Sequence, residues 1–262
     1  IIATGIQEHW LIPLKPGSLE LEPVIIGQGG FGEVYRGTLH GSTAVAVKRP
    51  YSSKGFATLD PSILNEIRML RRIRHPSVVL FHGVSLVRAA DASFLGLVLE
   101  WVSGGDLRRF VKGRHESKGF QADCKTWQSD GTLLVLKEVK LLTDAARGLS
   151  YLHAQDPPIM HRDMKPANIL IEDYEPPLAK LADFGLSFFE DGQRIKKKAG
   201  TAKYMAPEML QHQDYSLPAD VYAFGCTMLF INAGTATNQL EEFTWILPYS
   251  LLELARDCIA SD

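Results

Sequence analysis

The stretch Ile26–Gly37 reads IGQGGFGEVYRG and places glycine at positions 27, 29, 30 and 32. Backbone without a Cβ exposes its N–H groups to a close partner, and a phosphate can use several at once. The alternative is a plain tight turn, and the spacing alone does not decide between them. The residues after the loop are more informative. Gly32–Gly37 is rich in β-formers, and after a turn at His40-Gly41-Ser42 the run Thr43–Lys48 is again strand-like. A dinucleotide-binding loop would open a helix, and a P-loop would close on Gly-Lys-Ser/Thr. Neither pattern is here, so the predicted context is strand, loop, strand, strand.

Strand alternation puts Ala46 and Lys48 on one face and Val45 and Val47 on the other. A small residue beside an ammonium suits a flat aromatic ring carrying a phosphate; the plainer alternative is an edge lysine in solvent. Helix periodicity then supplies a partner. Asp60-Pro61 reads as an N-cap with proline at the first helical position, and Ile63, Ile67 and Leu70 recur as an apolar stripe. Glu66 lies inside that stripe. A carboxylate facing a core is costly unless paired, and Lys48 is the candidate; the alternative is a stripe-edge glutamate reaching water.

The elements that must position these groups belong to a chain of 262 residues, enough for one large or two small domains. A net charge of −2, with 45% apolar and 22% charged residues, gives no pull toward nucleic acid or anionic lipid. The short basic clusters, Arg71-Arg72-x-Arg74 and Lys196–Lys198, read as solvated faces. Three scattered cysteines show no zinc spacing and no disulfide framework, which fits a reducing cytosol. There is no bilayer-length apolar run, no signal peptide and no initiating Met, so the expectation is a cytoplasmic domain cut from a longer protein. Lys112–Gly131 reads as a polar inserted loop.

Further along stand HRDMKPAN (His161–Asn168), DFG (Asp183–Gly185) and APE (Ala206–Glu208). With the glycine loop and VAVK ending at Lys48, this ordered set resembles the protein kinase family. The resemblance runs from about Leu19 almost to the end. It implies an α+β, two-lobed fold: a lead-in over 1–18, a small mainly antiparallel β lobe with helix C over 19–100, a hinge over 100–104, and a mainly helical lobe over 105–262. It implies transfer of the γ-phosphate of ATP, with Mg²⁺, to hydroxyls of protein substrates in intracellular signalling. Gly27, Gly29, Gly30 and Gly32 are then expected over the phosphates. Lys48, held by Glu66, binds the α/β-phosphates; Asn168 and Asp183 hold Mg²⁺. Asp163 orients the incoming hydroxyl and takes its proton, and Lys165 steadies the developing charge. Ile26, Val34, Ala46 and Leu170 sandwich the base, and Glu100 and Val102 offer it backbone hydrogen bonds beside a gatekeeper at Leu99. Leu70, Phe81, His161 and Phe184 form the regulatory spine, and Asp220 anchors the catalytic loop.

Lys165, and Thr201 in GTAKYMAPE linking Asp163 to Lys165, resemble the serine/threonine rather than the tyrosine type. Trp10-x-Ile12-Pro13, RHPSVVLFHGV and PPIMHRDMKP resemble the tyrosine-kinase-like group, such as the Raf and mixed-lineage types. Arg162 implies an activation loop ordered by phosphate, yet Ser187 and Thr201 are the only serine or threonine between Asp183 and Glu208. Control is therefore expected through dimerisation, through Glu190 or Asp191 pairing with basic groups, or through Ser187 or Thr201. The segment Gly234–Tyr249 reads as an abbreviated helix G, and the arginine partner implied for Glu208, expected after Asp262, is missing: either the sequence stops early or the protein diverges. A pseudokinase-like nucleotide-binding scaffold is the alternative reading. A nucleotide-dependent oxidoreductase fails on the missing helix after the glycine loop.

Overall fold

The computed structural model describes residues 18–29, 32–51, 61–88, 93–116, 131–190, 199–233 and 249–260. The lead-in with Trp10–Pro13, Gly30, Asp60, most of the Lys112–Gly131 loop, Asp191, the Lys196–Lys198 cluster and nearly all of Gly234–Tyr249 lie outside them. The chain divides into two compact units. One runs to Arg74 and resumes over Val79–Val102; the other takes His75–Val78 and everything from Ser103.

The first unit is an antiparallel sheet with one helix. Strands β1 (Leu19–Gly29), β2 (Gly32–Leu39), β3 (Thr43–Pro50), β4 (Phe81–Arg88) and β5 (Ser93–Glu100) pair in the order β1-β2-β3-β5-β4. Register sorts the side chains. Gly27 pairs with Val34, Val34 with Lys48, and Lys48 with Leu97, so one row of one face crosses four strands. Ala46, two residues before Lys48, shares that face and pairs with Leu99. The opposite face carries Leu39, Val45, Val47 and Val98, a buried cluster of its own. Helix α1 (Pro61–Arg72) buries Ile63, Glu66, Ile67, Met69 and Leu70. The stripe is thus wider than three residues.

The second unit is mainly helical: α2 (Leu107–Glu116), α3 (Gly131–His153), α4 (Pro207–Leu210), α5 (Pro218–Ala233) and α6 (Tyr249–Ile259). Two small antiparallel ribbons accompany them, β6 (Ile159–Met160) with β9 (Phe188–Phe189), and β7 (Ile169–Glu172) with β8 (Leu178–Leu181). Helix α5 is buried nearly all round, with Cys226, Thr227, Met228, Leu229 and Ile231 all inside. A helix that is apolar on every side is a central strut, and it carries Asp220 in its first turn. Helix α3 reaches the second ribbon through Asp144, whose Oδ2 accepts the Ala179 N–H at 3.3 Å. An antiparallel sheet unit followed by a helical one is the α+β arrangement the sequence predicts.

Candidate active site

Within the first unit, Lys48 Nζ donates to Glu66 Oε1 at 2.7 Å, with side chains 9% and 6% exposed. Two charges at this depth need each other. The β2–β3 register fixes the ammonium and the helical stripe of α1 fixes the carboxylate, so local patterning alone brings them together.

The glycines of the loop divide by what the fold demands. Gly32 has φ +149°, and a Cβ there would lie 2.1 Å from the Arg49 carbonyl oxygen. That position is glycine because β3 passes too close for anything else. Gly27 is different: its nearest neighbour to a built Cβ is the Val34 Cβ at 3.7 Å, ordinary contact distance. Nothing in the sheet requires glycine at 27, which suits a ligand that must approach its backbone. Gly29 ends β1, and Gly30 lies outside the described residues.

Among the base-binding candidates, Ile26 is 43% exposed, while Val34 and Ala46 are half-buried on the Lys48 face and Val102 is buried. The Glu100 N–H donates to the Leu80 carbonyl at 2.8 Å, and the Glu100 carboxylate accepts the Leu80 N–H at 3.1 Å. A contact from the Glu100 backbone to a base would therefore come from its carbonyl. Leu70 and Phe81 are buried in this unit. In the second unit Leu170 is half-buried on β7, bridged to Asp106.

The second unit gathers the remaining groups around Asp163, which is 4% exposed. Lys165 Nζ donates to Asp163 Oδ2 at 2.6 Å and to Thr201 Oγ1 at 2.7 Å. The Thr201 hydroxyl donates to Asp163 Oδ1 at 2.9 Å. Asn168 Nδ2 donates to the Asp163 carbonyl at 2.8 Å and to Asp163 Oδ2 at 2.9 Å. With its amide nitrogen so committed, Asn168 has its amide oxygen for a hard cation. Asp183 follows Ala182, whose N–H donates to the Asn168 carbonyl at 2.9 Å, and takes φ +64°. That left-handed backbone turns the chain sharply at the acid. Among the described residues no cluster of three or more His, Cys, Asp or Glu is arranged for a metal. One carboxylate and one amide oxygen, completed by substrate phosphates and water, is a donor set that suits Mg²⁺.

The loop that carries Asp163 is fastened from beneath. Asp220, 1% exposed, accepts the His161 N–H on Oδ2 at 2.7 Å and the Arg162 N–H on Oδ1 at 2.8 Å. His153 Nε2 lies 3.0 Å from the same Oδ2. His161 Nε2 faces the Ala182 carbonyl at 3.1 Å, so that nitrogen carries the proton and Nδ1 accepts the Asp163 N–H at 3.3 Å. Its ring tilts against Phe184 with centroids 5.2 Å apart. At Gly200, φ is +116° and a Cβ would stand 2.5 Å from the Arg162 carbonyl oxygen, so only glycine lets Thr201 reach Asp163 here.

Sequence reasoning places Ser187 and Thr201 as candidate phosphorylation points. The structure puts Ser187 at 1% exposure with its hydroxyl donating to the His161 carbonyl at 3.2 Å, so both hydroxyls already serve internal bonds. Burial pushes the Tyr204 hydroxyl up to about 12, with Cys226 reinforcing and Arg108 opposing. Sequence reasoning missed His153 on Asp220, and it missed Phe188 and Tyr215, whose rings flank Arg162 at 5.9 and 5.6 Å. No spacing rule points to them; they come from separate elements that only the fold assembles.

Comparison with known proteins adds an independent line. Residues 22–243 match the family model described as protein kinase domain. The serine/threonine-protein kinase CTR1 of Arabidopsis thaliana is 35% identical over 202 residues, covering 76% of this chain and 22% of that protein. The cysteine-rich receptor-like protein kinase 10 of the same plant is 36% identical over 223 residues, covering 83% of this chain and 30% of that protein. The chain thus spans less than a third of the length of the curated relatives it matches.

Proposed function

The chain belongs to the protein kinase family, and from that premise we propose that it transfers the γ-phosphate of ATP to serine and threonine hydroxyls of protein substrates. The observation that carries this reading is the closed network of Asp163, Lys165, Thr201 and Asn168. Phosphoryl transfer asks for alignment and charge neutralisation more than for covalent help. Asp163 Oδ1 and Oδ2 are fixed by three different side chains, so the carboxylate is aimed before an acceptor hydroxyl arrives to lose its proton. Lys165 holds a positive charge beside that point, where negative charge develops on the transferred group. Lys48, oriented by Glu66, binds the α/β-phosphates, and Gly27 lets backbone approach them. Asn168 and Asp183 hold magnesium, which supplies neutralisation of the phosphate oxygens. Ile26, Val34, Ala46 and Leu170 take the base.

The reading assigns residues 19–262 to one kinase domain with the hinge at 100–104, and a signalling role to a longer protein. Its partners are ATP and proteins bearing serine or threonine, not nucleic acid. No helix among the described residues is long and apolar enough to cross a membrane, and the reading places the domain in the cytoplasm, alone or as the cytoplasmic part of a larger protein. A transfer-dead scaffold has no observation in its favour. The test is incubation with radiolabelled ATP, Mg²⁺ and a generic basic protein, then phosphoamino-acid analysis. Labelled phosphoserine and phosphothreonine support the proposal; label confined to phosphotyrosine, or none, overturns it.

A further inference from the structure

Between Asp183 and Glu208 the only side-chain hydroxyls are those of Ser187, Thr201 and Tyr204. Ser187 and Tyr204 are buried, and Thr201 both donates to Asp163 and accepts from Lys165. A phosphate on any of them would break the packing or the network that aims Asp163. The segment therefore needs another means of staying in place, and the surroundings of Arg162 supply one.

The Arg162 guanidinium lies over two rings, 5.9 Å from Phe188 and 5.6 Å from Tyr215, both within cation–π range. Phe188 is fixed by β9, where it pairs with Met160 of β6. Tyr215 is buried with Met160, Met205, Ala206, Met209 and Ala219. The backbone of Arg162 is as constrained as its side chain: φ is +67°, and the N–H is taken by Asp220. Asp163 is the next residue. One arginine thus joins the strand after the Asp183 turn, the segment before α5, and the carboxylate of the network.

We propose that Phe188 and Tyr215 are positioning residues: their rings clamp Arg162, which sets Asp163, and this clamp makes transfer independent of phosphate on the Asp183–Glu208 segment. The inference rests on the kinase reading for its activity arm and on geometry alone for its other arm. The rings lie over the guanidinium from elements anchored by β-pairing and by burial. A contact between a guanidinium and two rings contains no phosphate for a phosphatase to remove.

The experiment has two readouts. In steady-state assays, Tyr215→Leu, Phe188→Leu and Arg162→Met each lower kcat by roughly tenfold with KM for ATP within about twofold. Because they act through one contact, the Arg162→Met/Tyr215→Leu double variant loses no more than the worse single variant. Tyr215→Phe keeps the ring and retains kcat within about threefold. Phosphatase-treated wild type keeps its activity. Multiplying losses, a KM change at constant kcat, or inactivation by phosphatase overturns the proposal. Hydrogen exchange of the peptide spanning His161–Asn168 is the second readout and needs no transfer: it speeds up in Tyr215→Leu and Phe188→Leu, and unchanged exchange overturns the clamp even in a chain with no activity. If a leucine variant does not fold, Arg162→Lys, which keeps charge but loses the planar fork, gives the same exchange test. An inactive but exchange-sensitive chain would count against the kinase reading alone.

Discussion

Glu66 Oε1 lies 2.7 Å from Lys48 Nζ in a setting where each side chain is less than a tenth exposed. A buried pair of this kind is expensive to break and cheap to replace. Lys48→Met takes the ammonium away from the buried Glu66 carboxylate and is expected to cost about 3–5 kcal/mol of stability, while phosphate transfer falls by at least about 100-fold. Adding Glu66→Leu removes that carboxylate charge. The double variant should recover most of the stability and none of the activity, which denaturant titration and the radiolabel assay read separately. A double variant less stable than Lys48→Met would show that Glu66 has a support other than Lys48.

The two glycines of the loop predict opposite phenotypes. Gly27→Ala meets only ordinary contacts, so stability should change by less than about 0.5 kcal/mol. KM for ATP should nonetheless rise several-fold, because a methyl group stands where backbone must approach phosphate. Gly32→Ala sets a Cβ against the Arg49 carbonyl at a strained φ, and a loss of roughly 1–3 kcal/mol is expected. Thermal melting and ATP saturation curves distinguish the pair; similar melting losses in both would contradict the division.

Asp163→Asn preserves shape and an acceptor for the Thr201 hydroxyl but removes the proposed base and the charge that Lys165 faces. The kcat should fall by about 10²–10⁴-fold. Nucleotide affinity, measured calorimetrically, should be little altered, because Lys48, the proposed phosphate-binding group, is untouched. Turnover equal to wild type would remove Asp163 from the role of base.

How much of the site was legible in the letters depends on the range of each interaction. Lys48 and Glu66 were readable because strand alternation and helical periodicity are local, and the cost of an acid in an apolar stripe names its own remedy. Asp163, Lys165, Asn168 and Asp183 were readable only through ordered motifs; their geometry depends on Gly200 and on the Ala182 N–H bond to the Asn168 carbonyl, which no spacing announces. The Arg162 clamp was not legible at all. Phe188 and Tyr215 are 27 positions apart and carry no motif, and a ring over a guanidinium has no periodic signature. For the same reason Ser187 looked available in sequence: burial of a small hydroxyl beside a backbone carbonyl is a tertiary fact.

Asp220 offers a way to loosen the loop that carries Asp163 without changing that loop's own side chains. Its oxygens take two backbone N–H groups, bonds to a charged acceptor that are each worth about 1.5–3 kcal/mol. Asp220→Asn retains one accepting oxygen and should lose roughly one such bond, about 1.5–3 kcal/mol. Asp220→Ala leaves both N–H groups without the carboxylate and should lose more. In each, kcat should drop while KM for ATP stays near wild type. Denaturation midpoints that rank alanine above asparagine would contradict the anchoring role.

His75 predicts how stability responds to acid. Its Nδ1 accepts the Ser77 N–H at 3.1 Å and its ring stacks on Tyr151 with centroids 4.8 Å apart. Burial first, and the Arg147 charge second, hold its pKa below the ordinary value of 6.5. The folded state therefore prefers the neutral ring, and the unfolded chain binds the proton more readily. Its contribution to stability is complete above 6.5 and is lost as pH falls through the lower folded value. His82, also lowered chiefly by burial, acts in the same direction. His75→Asn keeps an acceptor for the Ser77 N–H and removes the titration. Denaturant midpoints taken at about pH 7.5 and about pH 5.5 should fall less in this variant than in wild type, though not to zero while His82 remains. Equal falls in the two proteins would mean that His75 is not one of the groups that acid must charge.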